Sequence, residues 1–272
     1  MNRLEAILGG LPFNNIENNK MTRQEYEQWQ IERYNESVGT LNLEDGIECE
    51  VCKNKGYIQY LMDGQYITIK DCKCMEKRRI VKRALASGLG SYLKKTLKDY
   101  EATEDWQQYN KLKALNFMKD HTNDNTWFMC IGTSGSGKTL LCSIIANHLL
   151  YKAGRFVTYL TWTDFISRLK RDVMSDQAYE VSIYLEEIKN VEVLFLDELI
   201  KKYNETDLKY LIEIINYRYT NDLKTIITSE KVLDELLDID EATFSRAVEK
   251  CEGFFINIPK DRKKNYRLKN LF

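Results

Sequence analysis

The segment Gly132-Thr133-Ser134-Gly135-Ser136-Gly137-Lys138-Thr139 matches the pattern G-x-x-x-x-G-K-[ST]. Its glycines let the backbone turn its N–H groups inward around a phosphate, and a following helix adds the partial positive charge of its N-terminus. Such a loop needs a buried strand before it and a helix after it. The flanks supply both. Trp127-Phe128-Met129-Cys130-Ile131 is a continuous apolar run, as suits a strand covered on both faces. Leu140, Leu141, Ile144, Ile145, Leu149 and Leu150 trace a helical face closed by Gly154. All eight residues from Gly132 to Thr139 are therefore expected to hold ATP, with Lys138 reaching the β- and γ-phosphates and the Thr139 hydroxyl binding magnesium.

The rest of the C-terminal half alternates in the same way. Strands are expected at 156–160, 191–196, 224–228 and 254–258, with a helix over 206–220 and another capped by Thr163 or Asp164. That order predicts an α/β fold, a parallel sheet flanked by helices. Val193-Leu194-Phe195-Leu196 runs into Asp197 and Glu198. Asp197 is placed to hold magnesium through water and Glu198 to polarise the attacking water, because phosphoryl transfer rests on positioning and charge neutralisation. An acidic N-cap is the competing reading of this pair. Thr228 and Ser229 end the next strand, where they could sense the γ-phosphate, cap a helix over 230–237, or do both. Arg246, in a short helix before the last strand, reads either as an arginine finger for a neighbouring subunit's ATP or as a solvated salt-bridge partner.

The N-terminal part differs in kind. Four of the seven cysteines crowd together as Cys49-x2-Cys52 and Cys72-x-Cys74, separated by two β-rich runs with Asp63-Gly64 between them. Asp-Gly favours a tight hairpin because both positions accept positive φ, and the hairpin would bring the two pairs together. Four thiolates in two close pairs predict a closed, structural zinc site of the ribbon type within 46–75. Cys130, Cys142 and Cys251 sit in apolar stretches and read as core. Residues 20–36 form a polar helix anchored by Tyr26, Trp29, Ile31 and Tyr34, which either packs on its own module or docks a partner. A basic helix from Lys77 then stops at Ser87-Gly88-Leu89-Gly90. The expected domains are therefore 1–88, a connector with one helix at 89–125, and a nucleotide-binding domain at 126–272.

Lysine plus arginine (40) nearly balances aspartate plus glutamate (41), so no global field draws the chain to nucleic acid or to an acidic membrane. The start, MNRLEAILGG, lacks a secretory pattern and the longest apolar runs are strand-length, which predicts a cytoplasmic protein without membrane contact. One local exception is the basic run Lys260–Lys269 with its interleaved Tyr266, suited to single-stranded DNA or simply a solvated end.

Taken together, the motifs resemble the DnaC/DnaI-type replicative helicase loaders, AAA+ ATPases, in the versions carried by phages and prophages. The resemblance runs over about residues 47–272 and rests on the cysteine pairs, Ser87-Gly88-Leu89, Gly132–Thr139, Leu194–Leu199, Ile214–Tyr219, Thr225–Glu230 and Ser245-Arg246. It implies a front module that grips the hexameric replicative DNA helicase, an AAA+ domain without a full C-terminal lid that binds ATP and single-stranded DNA, assembly as a homo-oligomer on the helicase, and Arg246 as a trans-acting finger. Phe244 departs from the pattern, standing where the family has a small residue, often glycine. Three further readings remain: an IstB-like transposition helper, which shares the AAA+ core; a non-catalytic adaptor that diverts the host helicase; and, weakest for want of an arginine-rich lid segment, a small-molecule nucleoside kinase.

Overall fold

The computed structural model describes residues 21–64, 66–85, 90–174 and 178–268, and its contacts divide into two units, Met1–Met75 and Glu76–Phe272. The MNRLEAILGG start, the Ser87–Leu89 stop proposed as a domain boundary, and Lys269 lie outside the described residues.

In the first unit, helices α1 (Arg23–Glu36) and α2 (Leu41–Asp45) precede an antiparallel hairpin of β1 (Tyr57–Met62) and β2 (Tyr66–Asp71). Asp63 and Gly64 both have positive φ, +52° and +68°, as the hairpin requires. Helix α1 starts at a reciprocal cap between Thr22 and Glu25 and packs on its own module: Ile31 is buried, and the Asn35 amide pairs with the backbone of Gln59 at 2.9 and 3.0 Å. Helix α3 (Cys74–Ala84) begins at the last cysteine of the cluster.

The second unit is the expected α/β layer. Its strands are β3 (Phe128–Gly132), β4 (Val157–Thr161), β5 (Val193–Asp197), β6 (Lys224–Ser229) and β7 (Phe255–Ile258), all parallel, in the order β4-β5-β6-β3-β7. Helices α4 (Asp105–Asp120), α5 (Lys138–Tyr151), α6 (Trp162–Met174), α7 (Ala178–Asn190), α8 (Glu205–Thr220) and α9 (Leu233–Lys250) flank it. Met129, Ile131, Leu194, Leu196 and Ile227 from the strands meet Phe165, Leu169, Ile188, Leu211, Ile214, Phe244 and Cys251 in one core. Cys130, Cys142 and Cys251 are fully buried, as the core reading expects.

Three local features add detail, and one of them, the cap of α6, corrects the expected Thr163 or Asp164. The 89–125 connector carries its expected helix as α4, which sinks Ala114 and Phe117 completely, with Phe117 packed edge-on against Phe128 and Phe254 at 5.1 and 5.3 Å. Lys224, wholly buried, lies 4.5 Å over the same ring and donates to the carbonyls of His121, Asp124 and Thr126, tying the segment to the sheet. The cap of α6 is Thr161, which accepts from the Asp164 N–H at 3.3 Å, because α6 follows β4 without a loop. Finally, α9 is two helices joined at Asp240, whose extended backbone (φ −160°) lets its carboxylate cap the second half through the Thr243 N–H at 2.7 Å.

Candidate nucleotide-binding site

Gly132 ends β3 at φ +113°, directly opposite Ile258 of β7, and a Cβ there would stand 1.8 Å from the Ile258 carbonyl oxygen. Only glycine lets the chain leave the sheet here and wrap into the loop. Gly137 then starts α5, whose N-terminus points its free N–H groups into the loop. Lys138, buried, donates through Nζ to the carbonyls of Gly132 (2.9 Å) and Thr133 (2.7 Å), and its burial lowers its pKa. Ser136 Oγ closes the loop onto the Thr133 carbonyl at 2.7 Å, and Ser134 Oγ donates to Glu230 at 2.7 Å.

The acidic pair arrives from β5. Asp197 is 3% exposed, and its Oδ1 accepts from Thr139 Oγ1 at 2.9 Å, so the residue expected to hold magnesium and the hydroxyl expected to bind it are side by side. That donor set, one hydroxyl against one carboxylate at a helix N-terminus, fits a hard divalent cation. Glu198 follows with left-handed backbone, φ +53°, and its carboxylate meets Lys201 at 3.2 Å. Thr228 and Ser229 reach this turn from β6. Thr228 Oγ1 donates to Asp197 and accepts from the Glu198 N–H at 3.0 Å; Ser229 Oγ donates to the Leu199 carbonyl at 2.8 Å. Ser229 does not cap the next helix, which starts only at Leu233, where Glu235 accepts from the Val232 N–H.

Gly135 to Thr139, Asp197, Glu198, Thr228 and Ser229 line one cavity of about 480 Å³, a size suited to a nucleotide. Two further walls were not foreseen. Residues 92–101 bring Tyr100, which packs beside Gly137 and whose burial pushes its phenol up to about 12. The basic tail lies on the loop: Tyr266 N–H donates to the Gly135 carbonyl at 3.0 Å, Asp261 N–H to Thr133 Oγ1 at 2.9 Å, and Tyr266 Oη to Glu101. The tyrosine read as a stacking platform for DNA bases thus lines the cavity. Tyr159 of β4 also reaches in, its hydroxyl donating to Asp197 Oδ2 at 2.9 Å. Gly132, Thr133 and Ser134 belong to the loop without lining the cavity, and Arg246 is off the loop altogether, exposed on α9 and bonded to Asn216 Oδ1 at 2.7 Å. Phe244, two residues earlier, points into the core, 1% exposed.

In the first unit, the sulfurs of Cys49, Cys52, Cys72 and Cys74 lie within 4.8 Å of one another. A knuckle at Lys53 and Asn54, both with positive φ, folds the first pair, and the Gly56 N–H donates to Cys52 Sγ at 3.3 Å. Burial raises the Cys52 pKa, but that N–H and the neighbouring thiols outweigh it and bring it to about 7. Four thiols gathered so closely are a set that could hold zinc.

Comparison with known proteins places this geometry. The YqaM protein of Bacillus subtilis (strain 168) is 31% identical over 73% of this chain and 66% of its own length. The replicative helicase loader DnaC of Buchnera aphidicola subsp. Acyrthosiphon pisum (strain APS) is 27% identical over 54% of this chain and 58% of its own. The chain therefore spans less than two thirds of either relative. A crystal structure of DnaI, 22% identical, covers 63% of this chain and 92% of its own with a TM-score of 0.50, a likeness of fold. A family model for IstB-like ATP binding proteins matches residues 60–267, so the chain belongs to that family and is an AAA+ ATPase of the IstB/DnaC kind.

Proposed function

We propose that the chain is an ATP-dependent loader that places the hexameric replicative helicase on single-stranded DNA during replication initiation, working in the cytoplasm as a homo-oligomer on the helicase. The observation that carries the ATP-driven part is the meeting of Thr139 with Asp197, with Glu198 next along the chain. The four-cysteine unit ahead of the ATPase, and a relative named as a replicative helicase loader, support the loading part. Among the described residues no helix is long and apolar enough to cross a membrane.

In this reading the loop amides from Gly132 to Thr139 and the Lys138 ammonium hold the triphosphate, exchanging the carbonyls that Lys138 now contacts for phosphate oxygens. Thr139 and Asp197 would hold magnesium, which would supply charge neutralisation at the triphosphate. Glu198 orients a water and takes its proton as the water oxygen bonds to the γ-phosphorus and the bond to the bridging oxygen breaks, ADP leaving with the electron pair. Thr228 and Ser229 fix the turn that aims Glu198. Arg246 acts on a neighbour's ATP. The front module, residues 1–88 with zinc on Cys49, Cys52, Cys72 and Cys74, grips the helicase; the metal there is structural, because four thiolates leave no open position.

The match to IstB-like ATP binding proteins keeps a second reading in play, the transposition helper. One experiment separates them: size-exclusion of the purified chain with its host's replicative helicase, with and without ATP. Co-elution that changes with ATP is the expected result. Co-elution with a transposase of the same genome, and none with the helicase, would support the helper instead, and failure with both rejects each.

A further inference from the structure

We propose that Tyr159 is a positioning residue for the magnesium-binding carboxylate, holding Asp197 from the strand beside it. Strands β4 and β6 flank β5, and each sends one hydroxyl to the end of β5: Tyr159 Oη to Asp197 Oδ2 at 2.9 Å, and Thr228 Oγ1 to Oδ1. The register explains why a tyrosine is needed. Thr161 lies opposite Asp197 and Tyr159 opposite Phe195, so Tyr159 is the diagonal neighbour on the same face, a separation that only a long side chain spans. Its ring also packs edge-on against Phe195 at 5.0 Å, with 6% exposure.

A core role alone would be met by phenylalanine. The hydroxyl is the surplus feature, and a buried hydroxyl is costly unless bonded. Here it bonds the one carboxylate of the site that must hold a cation. With Oδ2 held by Tyr159 and Oδ1 by Thr139 and Thr228, rotation of the carboxylate is blocked from both sides, and its edge beside Thr139 is set in advance. Outer partners of this kind tune metal affinity by fixing their ligand.

The inference rests on the reading that Asp197 and Thr139 hold magnesium with ATP, and its test is Tyr159→Phe, which keeps the ring. Binding of a fluorescent ATP analogue is followed in EDTA and along a magnesium titration, with hydrolysis measured at saturating magnesium. The magnesium concentration giving half of the metal-dependent change should rise roughly tenfold, while binding in EDTA stays within about twofold and hydrolysis at saturating magnesium recovers. Superimposable magnesium curves overturn the proposal. So does an equal loss of binding in EDTA, which would mark the hydroxyl as a general support of the fold. If magnesium does not alter nucleotide binding by the unsubstituted chain, the metal assignment of Asp197 falls and Tyr159's role with it, whereas the other two results leave that assignment standing.

Discussion

Glu198 and Ile200 both take left-handed backbone, φ +53° and +57°, on either side of Leu199. For residues with a Cβ this costs about 1–3 kcal/mol each, and for a β-branched isoleucine it is rare. Three contacts from β6 hold the turn: Glu198 N–H to Thr228 Oγ1, Leu199 N–H to the Thr228 carbonyl at 2.8 Å, and Ser229 Oγ to the Leu199 carbonyl. The turn thus holds Glu198 on the cavity wall, and in the proposed reading Glu198→Gln keeps the shape and removes the base. ATP binding should persist and phosphate release fall by about 10²–10³-fold; a single-turnover phosphate assay beside an equilibrium binding curve checks it, and an unchanged rate would remove Glu198 from the chemistry. Motif spacing made Gly132–Thr139, Asp197 and Glu198 readable from sequence because each loop's chemistry is local. Tyr159 was hidden because its partner is 38 positions away and meets it only through the pairing of β4 with β5.

Elements were readable wherever a period of hydrophobicity or a turn pair wrote them locally: all five strands, the Asp63-Gly64 hairpin and α5 fall where expected. The misreadings came from long-range packing. The helix of α4 was expected but its packing of Phe117 on Phe128 and Phe254 was not, and the tail is drawn onto the phosphate loop through backbone groups that no side-chain pattern encodes. The hairpin has the opposite problem, because its strand residues are exposed or half-exposed and none is buried. So small a core needs a further tie, and the four sulfurs are placed to give one through zinc. A chelator applied to the full chain should therefore unfold the region 46–75 while the ATPase unit keeps its melting transition and its nucleotide binding. Hydrogen exchange resolved along the chain reads both at once. Protection of 46–75 unaffected by the chelator would show that the hairpin stands without metal.

At the scale of the whole molecule, the arginine is the residue whose position matters most. Arg246 is exposed on α9 and bonded to Asn216 on α8, and it does not line the cavity that holds Lys138, Asp197 and Glu198. The side chain beside it in the motif, Phe244, is spent on the core, so the second half of α9 is held rigidly while Arg246 faces outward. A guanidinium so placed could serve catalysis only in another subunit's site, which makes its role a property of the assembly. Mixing two inactive variants tests this directly. Arg246→Ala retains a complete site of its own but offers no finger; Glu198→Gln offers a finger but cannot activate water. In a mixed assembly some interfaces join the intact site of the first to the finger of the second, so hydrolysis should reappear on mixing and rise with the proportion of such interfaces. An arginine acting within its own subunit would give no recovery at any ratio, because neither chain then carries a complete set.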